Sequence, residues 1–127
     1  MVAKILVERD IEAGKLLVAE LVRSNVPISA ALWLYEAEDD RYQLVIASEL
    51  YKTGPLETLE KIQEALLRLA DEKRVELTDI KVVSPENPIV QAVRRTIKTG
   101  PGAGGIRFSR NTINGVYIQD AWIYKST

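Results

Sequence analysis

The stretch IRFSRNTINGVYIQDAWIYK, residues 106–125, carries the strongest short-range signal in the chain. Asn114-Gly115 separates two runs rich in Ile, Val, Tyr, Phe and Trp. Both turn residues accept the positive φ of a type I′ turn, so a β-hairpin is predicted with arms at 106–111 and 116–125. Alternation in the first arm turns Ile106 and Phe108 toward the core and leaves Arg107 and Ser109 on the other side. The second arm has Val116, Ile118, Trp122 and Ile123 on both faces, the pattern of a central strand.

A second hairpin is predicted upstream. Ile28 to Glu36 and Arg41 to Tyr51 are strand-like runs, and Glu38-Asp39-Asp40-Arg41 is the polar turn between them. Ala31, Trp33 and Tyr35 alternate with Ala30, Leu32 and Leu34, so this strand is expected to be covered on both faces. Around the hairpins the spacing predicts helices. Ile11, Leu17, Val18, Leu21 and Val22 recur at helical intervals from about Asp10 to Ser24, ended by Asn25 and Pro27. Thr53-Gly54-Pro55 opens a helix to about Asp71 with Leu56, Leu59, Ile62, Leu66 and Leu69 as its buried stripe. On its wet side Glu57 with Lys61 and Glu64 with Arg68 are i,i+4 pairs in the favourable order. Leu77 to Ser84 alternates as a strand. Asn87 then caps a helix that starts at Pro88 and buries Ile89, Val93 and Ile97.

Two hairpins make the sheet mainly antiparallel. The expected fold is therefore α+β, a two-layer sandwich of about five strands and three helices in the order α-β-β-α-β-α-β-β, with residues 1–127 as one domain. Residues 1–9 carry no clear pattern.

The totals exclude several kinds of chemistry. The 46% hydrophobic and 28% charged composition over 127 residues supports a buried core and argues against extensive disorder. Without Cys there is no disulfide, thiolate nucleophile or cysteine metal ligand. The lack of His removes the usual general base near neutral pH and the commonest nitrogen ligand for metals. No stretch is long and apolar enough for a membrane span and Met1 to Val7 does not read as a secretion signal, so a cytoplasmic protein is expected.

Charge is distributed unevenly. Residues 1–86 hold 17 acids and 11 bases, a balance of −6; residues 87–127 hold six bases and Asp120 alone, a balance of +5; the sum is the net −1. From Asn87 to Gln119 there is no acid, while Arg94, Arg95, Lys98, Arg107 and Arg110 fall inside the same stretch. Gln91, Arg94, Arg95 and Lys98 share one helical stripe. Between the cations lies Gly100-Pro101-Gly102-Ala103-Gly104-Gly105, whose backbone is bare enough to approach a partner closely. The candidate surface is thus the end of helix 88–98, loop 99–105 and hairpin 106–124. Arg94, Arg95, Lys98, Gly102, Gly104, Arg107 and Arg110 are its anion-binding residues, offering forked donors and N–H groups to phosphate oxygens.

Rival motifs are weaker. Gly100, Gly102 and Gly105 match G-x-G-x-x-G, but the loop leaves a helix and enters a strand, the reverse of a dinucleotide site. Glu36, Glu38, Glu49 and Lys52 suggest a nuclease-like set, yet Glu49 and Lys52 are three apart and point to opposite faces of a strand. Trp33 and Trp122 read as core, while Tyr117 and Tyr124 fit either core or a stacking surface. The leading expectation is a non-catalytic binding or accessory protein for an anionic partner, nucleic acid before an acidic protein, with no cofactor, metal or membrane. The second is a homo-oligomer or protein-interaction module without an anion ligand. A carboxylate-dependent metal hydrolase comes third.

Overall fold

A computed structural model describes residues 5–99 and 105–127. The elements run α1 (Glu8–Arg23), β1 (Ala30–Glu36), β2 (Arg41–Ala47), α2 (Leu50–Thr53), α3 (Pro55–Leu67), β3 (Ile80–Val83), α4 (Pro88–Thr96), β4 (Ile106–Ile113) and β5 (Val116–Ser126), with short 3-10 turns at Asp71–Lys73 and Leu77–Asp79. The five strands form one sheet in the order β3-β2-β1-β5-β4. Every pair is antiparallel except β2 with β3, which is parallel. This is the mixed α+β architecture expected, with both hairpins formed and β5 inside the sheet between β1 and β4.

β1 is central, and its two alternating sets feed two cores. Ala31 and Trp33 join Leu44, Ile46 and Tyr124 under α1 and α3, which contribute Leu17, Leu21, Ile62 and Ala65. Ala30, Leu32 and Leu34 join Val45, Ile118, Ala121 and Ile123 on the other face, closed by Val90 and Val93 of α4. The two-layer expectation therefore gains a layer, because α4 crosses to the face opposite α1 and α3. Apolar residues on both sides of β1 and β5 require such cover.

Local departures follow from packing. α3 buries Thr58, Ile62, Ala65 and Leu66, but Leu56 and Leu59 of the expected stripe are exposed. Among the described residues neither i,i+4 pair on this helix closes; Arg68 instead bonds Glu20 of α1 and Ser24 just after it. β2 ends at Ala47, where the Ser48 hydroxyl donates to the Pro27 carbonyl at 2.6 Å and accepts from the Leu50 N–H, starting α2. The expected strand from Leu77 begins as a 3-10 turn and becomes extended only at Ile80. Asn87 caps α4 as its sequence foretells, its side chain accepting from Ile89 and Val90. α4 stops at Thr96, so Ile97 and Lys98 lie beyond the helix, and Ile89 and Ile97 are only partly buried beside Val90, Ala92 and Val93.

Candidate functional site

α4 presents its basic side to solvent because Val90, Ala92 and Val93 anchor the other side to the sheet. Gln91, Arg94, Arg95 and Lys98 line one shallow depression of about 240 Å³. Lys98 reaches it from just past the helix end. The Arg94 Nε–H donates to the Thr127 carbonyl at 3.0 Å, which ties the stripe to the end of β5. Among the described residues no Asp or Glu side chain stands within ion-pair distance of Arg94, Arg95 or Lys98. Their charge is therefore available to an outside anion, and it also offsets the negative end of the helix dipole.

Arg107 is elsewhere. It pairs with Trp122 on the sheet face that carries α1 and α3, away from α4. Its guanidinium grips Asp120 with two parallel bonds, Nε to Oδ1 and Nη2 to Oδ2, both 2.6 Å. Ser109 Oγ donates to Oδ1 at 2.6 Å and the Tyr42 hydroxyl donates to Oδ2. Asp120 is only 9% exposed. Its burial opposes ionisation, but the combined hydrogen bonds from Arg107, Ser109 and Tyr42 outweigh that and hold the carboxyl below its ordinary range. Burial, then the bond to Asp120, pushes the Tyr42 phenol up to about 12. This is a satisfied polar network that joins β2, β4 and β5, with the acceptor capacity of its carboxylate taken up inside the chain.

Arg110 sits on β4 with φ +49°, where the pairing with β5 is interrupted. Ser109 and Asp120 face the α1 side before it, and Ile113 and Ile118 face the α4 core after it. The unusual backbone thus lets the far end of the hairpin bury its isoleucines. Gly102 and Gly104 lie outside the described residues. Of the seven anion-binding candidates, then, Arg94, Arg95 and Lys98 come together, and Arg107 does not join them.

Sequence reasoning missed the Asp120 network, though a signal existed. The Asn114-Gly115 turn fixes a register that sets Ser109 opposite Asp120, and Asp120 is the sole acid after Glu86. The carboxylates considered for metal chemistry do not gather: Glu36 faces Lys81 on the α4 side of the sheet, Glu49 pairs with Lys52, and Asp120 is on the opposite face. Among the described residues no three acidic side chains form a metal-binding cluster. Tyr124 proves to be core and Tyr117 is exposed. No helix among the described residues is long and apolar enough to cross a membrane.

Comparison with family models, curated proteins and solved structures gave no match.

Proposed function

We propose that the chain is a non-catalytic binding protein that meets the phosphates of a nucleic acid through the outer side of α4 and the residue just beyond it. The observation that carries this reading is the single depression shared by Gln91, Arg94, Arg95 and Lys98, with no Asp or Glu side chain of the described residues paired to its cations. Two guanidinium groups give forked donors to phosphate oxygens, Lys98 adds a mobile point charge, and Gln91 adds a neutral amide. Contacts of this kind position a backbone and carry no base sequence. The surface is shallow and has no aromatic wall, which favours backbone contact over base stacking.

Fluorescence anisotropy with a labelled single-stranded oligonucleotide tests the proposal. Three cations predict a log affinity against log salt slope of roughly −2. Arg94→Glu with Arg95→Glu should abolish binding to every sequence alike, while Arg110→Gln should change it little. Absence of binding at low salt, or binding indifferent to the double reversal, would refute the reading.

A further inference from the structure

The chain has four asparagines, Asn25, Asn87, Asn111 and Asn114, and the fold leaves their side-chain amides unequally exposed to attack. An asparagine deamidates when the backbone nitrogen of the next residue bonds to its Cγ, so the state of that nitrogen decides each case. Pro88 follows Asn87 and has no N–H to give up. After Asn25, the Val26 N–H is tied to the Leu21 carbonyl at 3.0 Å, and the β-branched Val26 side chain is buried. Asn111 and Thr112 are held in β4 by their pairing with Ile118 and Tyr117. The Thr112 N–H donates to Asn111 Oδ1 at 2.8 Å, and the β-branched Thr112 side chain crowds its own nitrogen. Asn114 is different. It and Gly115 are exposed, a Cβ on Gly115 would meet nothing within 4 Å, and among the described residues the Gly115 N–H has no acceptor. Their φ angles of +47° and +80° make a type I′ turn closed by the Ile113 and Val116 pair. Flipping only the peptide between them gives type II′, the other two-residue hairpin turn, and takes Asn114 ψ from about +30° to about −120°. That rotation carries the Gly115 nitrogen round to the Asn114 side chain while the pair beneath the turn stays closed.

We infer that Asn114 is a site of spontaneous deamidation in the folded chain, and that the tip of the β4 and β5 hairpin is where this protein ages. The Gly115 nitrogen loses its proton and bonds to Cγ, and the side-chain nitrogen takes up a proton and leaves as ammonia. The product is a five-membered imide, with no change of oxidation state. Water then opens the ring at one of its two carbonyls. Opening at the backbone carbonyl leaves an isoaspartyl linkage, in which the main chain runs through Cβ and Cγ. Opening at the other leaves an aspartate with the main chain unaltered. The aspartate adds a negative charge to the otherwise acid-free stretch from Asn87 to Gln119. The isoaspartyl linkage lengthens the main chain by one atom inside a two-residue loop, so Ile113 and Val116 lose their register. Ile113 is 4% exposed and belongs to the core under α4, so this product also disturbs packing. The inference stands independently of anion binding.

The test is to age the full-length native chain in mildly alkaline buffer at body temperature and digest it with trypsin beside an unaged sample. Cleavage after Arg110 and Lys125 releases residues 111–125, which hold both Asn111 and Asn114. Electron-transfer fragmentation locates the converted residue and separates the isoaspartyl from the aspartyl linkage. Asn114 should convert, mainly to isoaspartate, while Asn25 and Asn111 stay intact. A carboxyl methyltransferase specific for isoaspartate, supplied with labelled S-adenosylmethionine, should label the aged chain and not the fresh one. Asn114→Gly keeps a turn that accepts both positive φ angles but has no amide, so it should fold, age and remain unlabelled. The isoaspartyl fraction, separated by charge, should melt below the unaged protein. An unconverted native chain, conversion at Asn25 or Asn111 equal to that at Asn114, or equal labelling of aged Asn114→Gly would overturn the assignment.

Discussion

Gly14 sits inside α1, where glycine weakens a helix, and the reason is a close approach. A Cβ at this position would stand 2.7 Å from Trp33 Nε1 and closer still to the Tyr124 hydroxyl. Those two groups form a buried chain: Trp33 Nε1–H donates to Tyr124 Oη at 2.9 Å and to the Asp10 carbonyl at 3.2 Å, and the Tyr124 hydroxyl donates to the Ile11 carbonyl at 2.6 Å. Alanine gains helix propensity of about 1 kcal/mol, but crowding a packed site costs about 1–3 kcal/mol. Gly14→Ala should therefore destabilise, read as a lower urea midpoint. Glu20 is the second informative residue, joining Arg23 on its own helix to Arg68 after α3. The hydrogen bond from Arg23, then that from Arg68, lowers its pKa from 4.5 to about 2. A depressed carboxyl contributes stability that is complete above about pH 4.5 and disappears as pH falls through about 2. Glu20→Gln should flatten the thermal stability profile across that window and leave a remaining acid limb from Asp120. An unchanged slope would contradict this assignment.

At the scale of elements, the β4 and β5 hairpin depends on Asp120. Asp120→Asn keeps the shape but removes the charge that holds Arg107 and two hydroxyls. Hydrogen bonds to a charged group contribute about 1.5–3 kcal/mol, so a loss near the lower end is expected because Arg107 is 46% exposed. Thermal unfolding of Asp120→Asn beside wild type measures it. At the start of α4, Asn87→Ala should cost about 1 kcal/mol through two lost bonds to backbone N–H groups. These elements also show what a sequence makes legible. Asn114-Gly115 and Asn87-Pro88 are local signals with local causes, and both formed as read. Leu56 and Leu59 have the same spacing as buried leucines, but the position of α1 decides which flank of α3 is covered. For the same reason Arg107 looked like a free cation: its partner is across a strand, and only the register brings them together. Arg94, Arg95 and Lys98 were legible as a group because one helix turn and its exit place all three.

For the whole molecule, the main question is whether two cores behave as one. The α1 and α3 side and the α4 side share no apolar cluster, yet each is built on alternate residues of β1. Unfolding one core would strip one face of β1 and leave the other face's residues on a strand with no reason to stay extended. The cores should therefore melt together. Leu21→Ala empties the first core and Ile118→Ala the second, and each should cost about 2–5 kcal/mol as a fully buried side chain truncated to a methyl. Trp33 lies in the first core and Trp122, the other tryptophan, packs against it, so tryptophan fluorescence reports there, while far-UV circular dichroism reports the whole sheet and helices. In both variants the two signals should give the same urea midpoint, shifted to lower concentration, with the slope retained. A tryptophan-fluorescence midpoint that stays at the wild-type value in Ile118→Ala, while circular dichroism moves, would mean that α4 and its face detach separately. The basic groove would then sit on a unit able to move against the rest, and its affinity for an anion would depend on that local equilibrium.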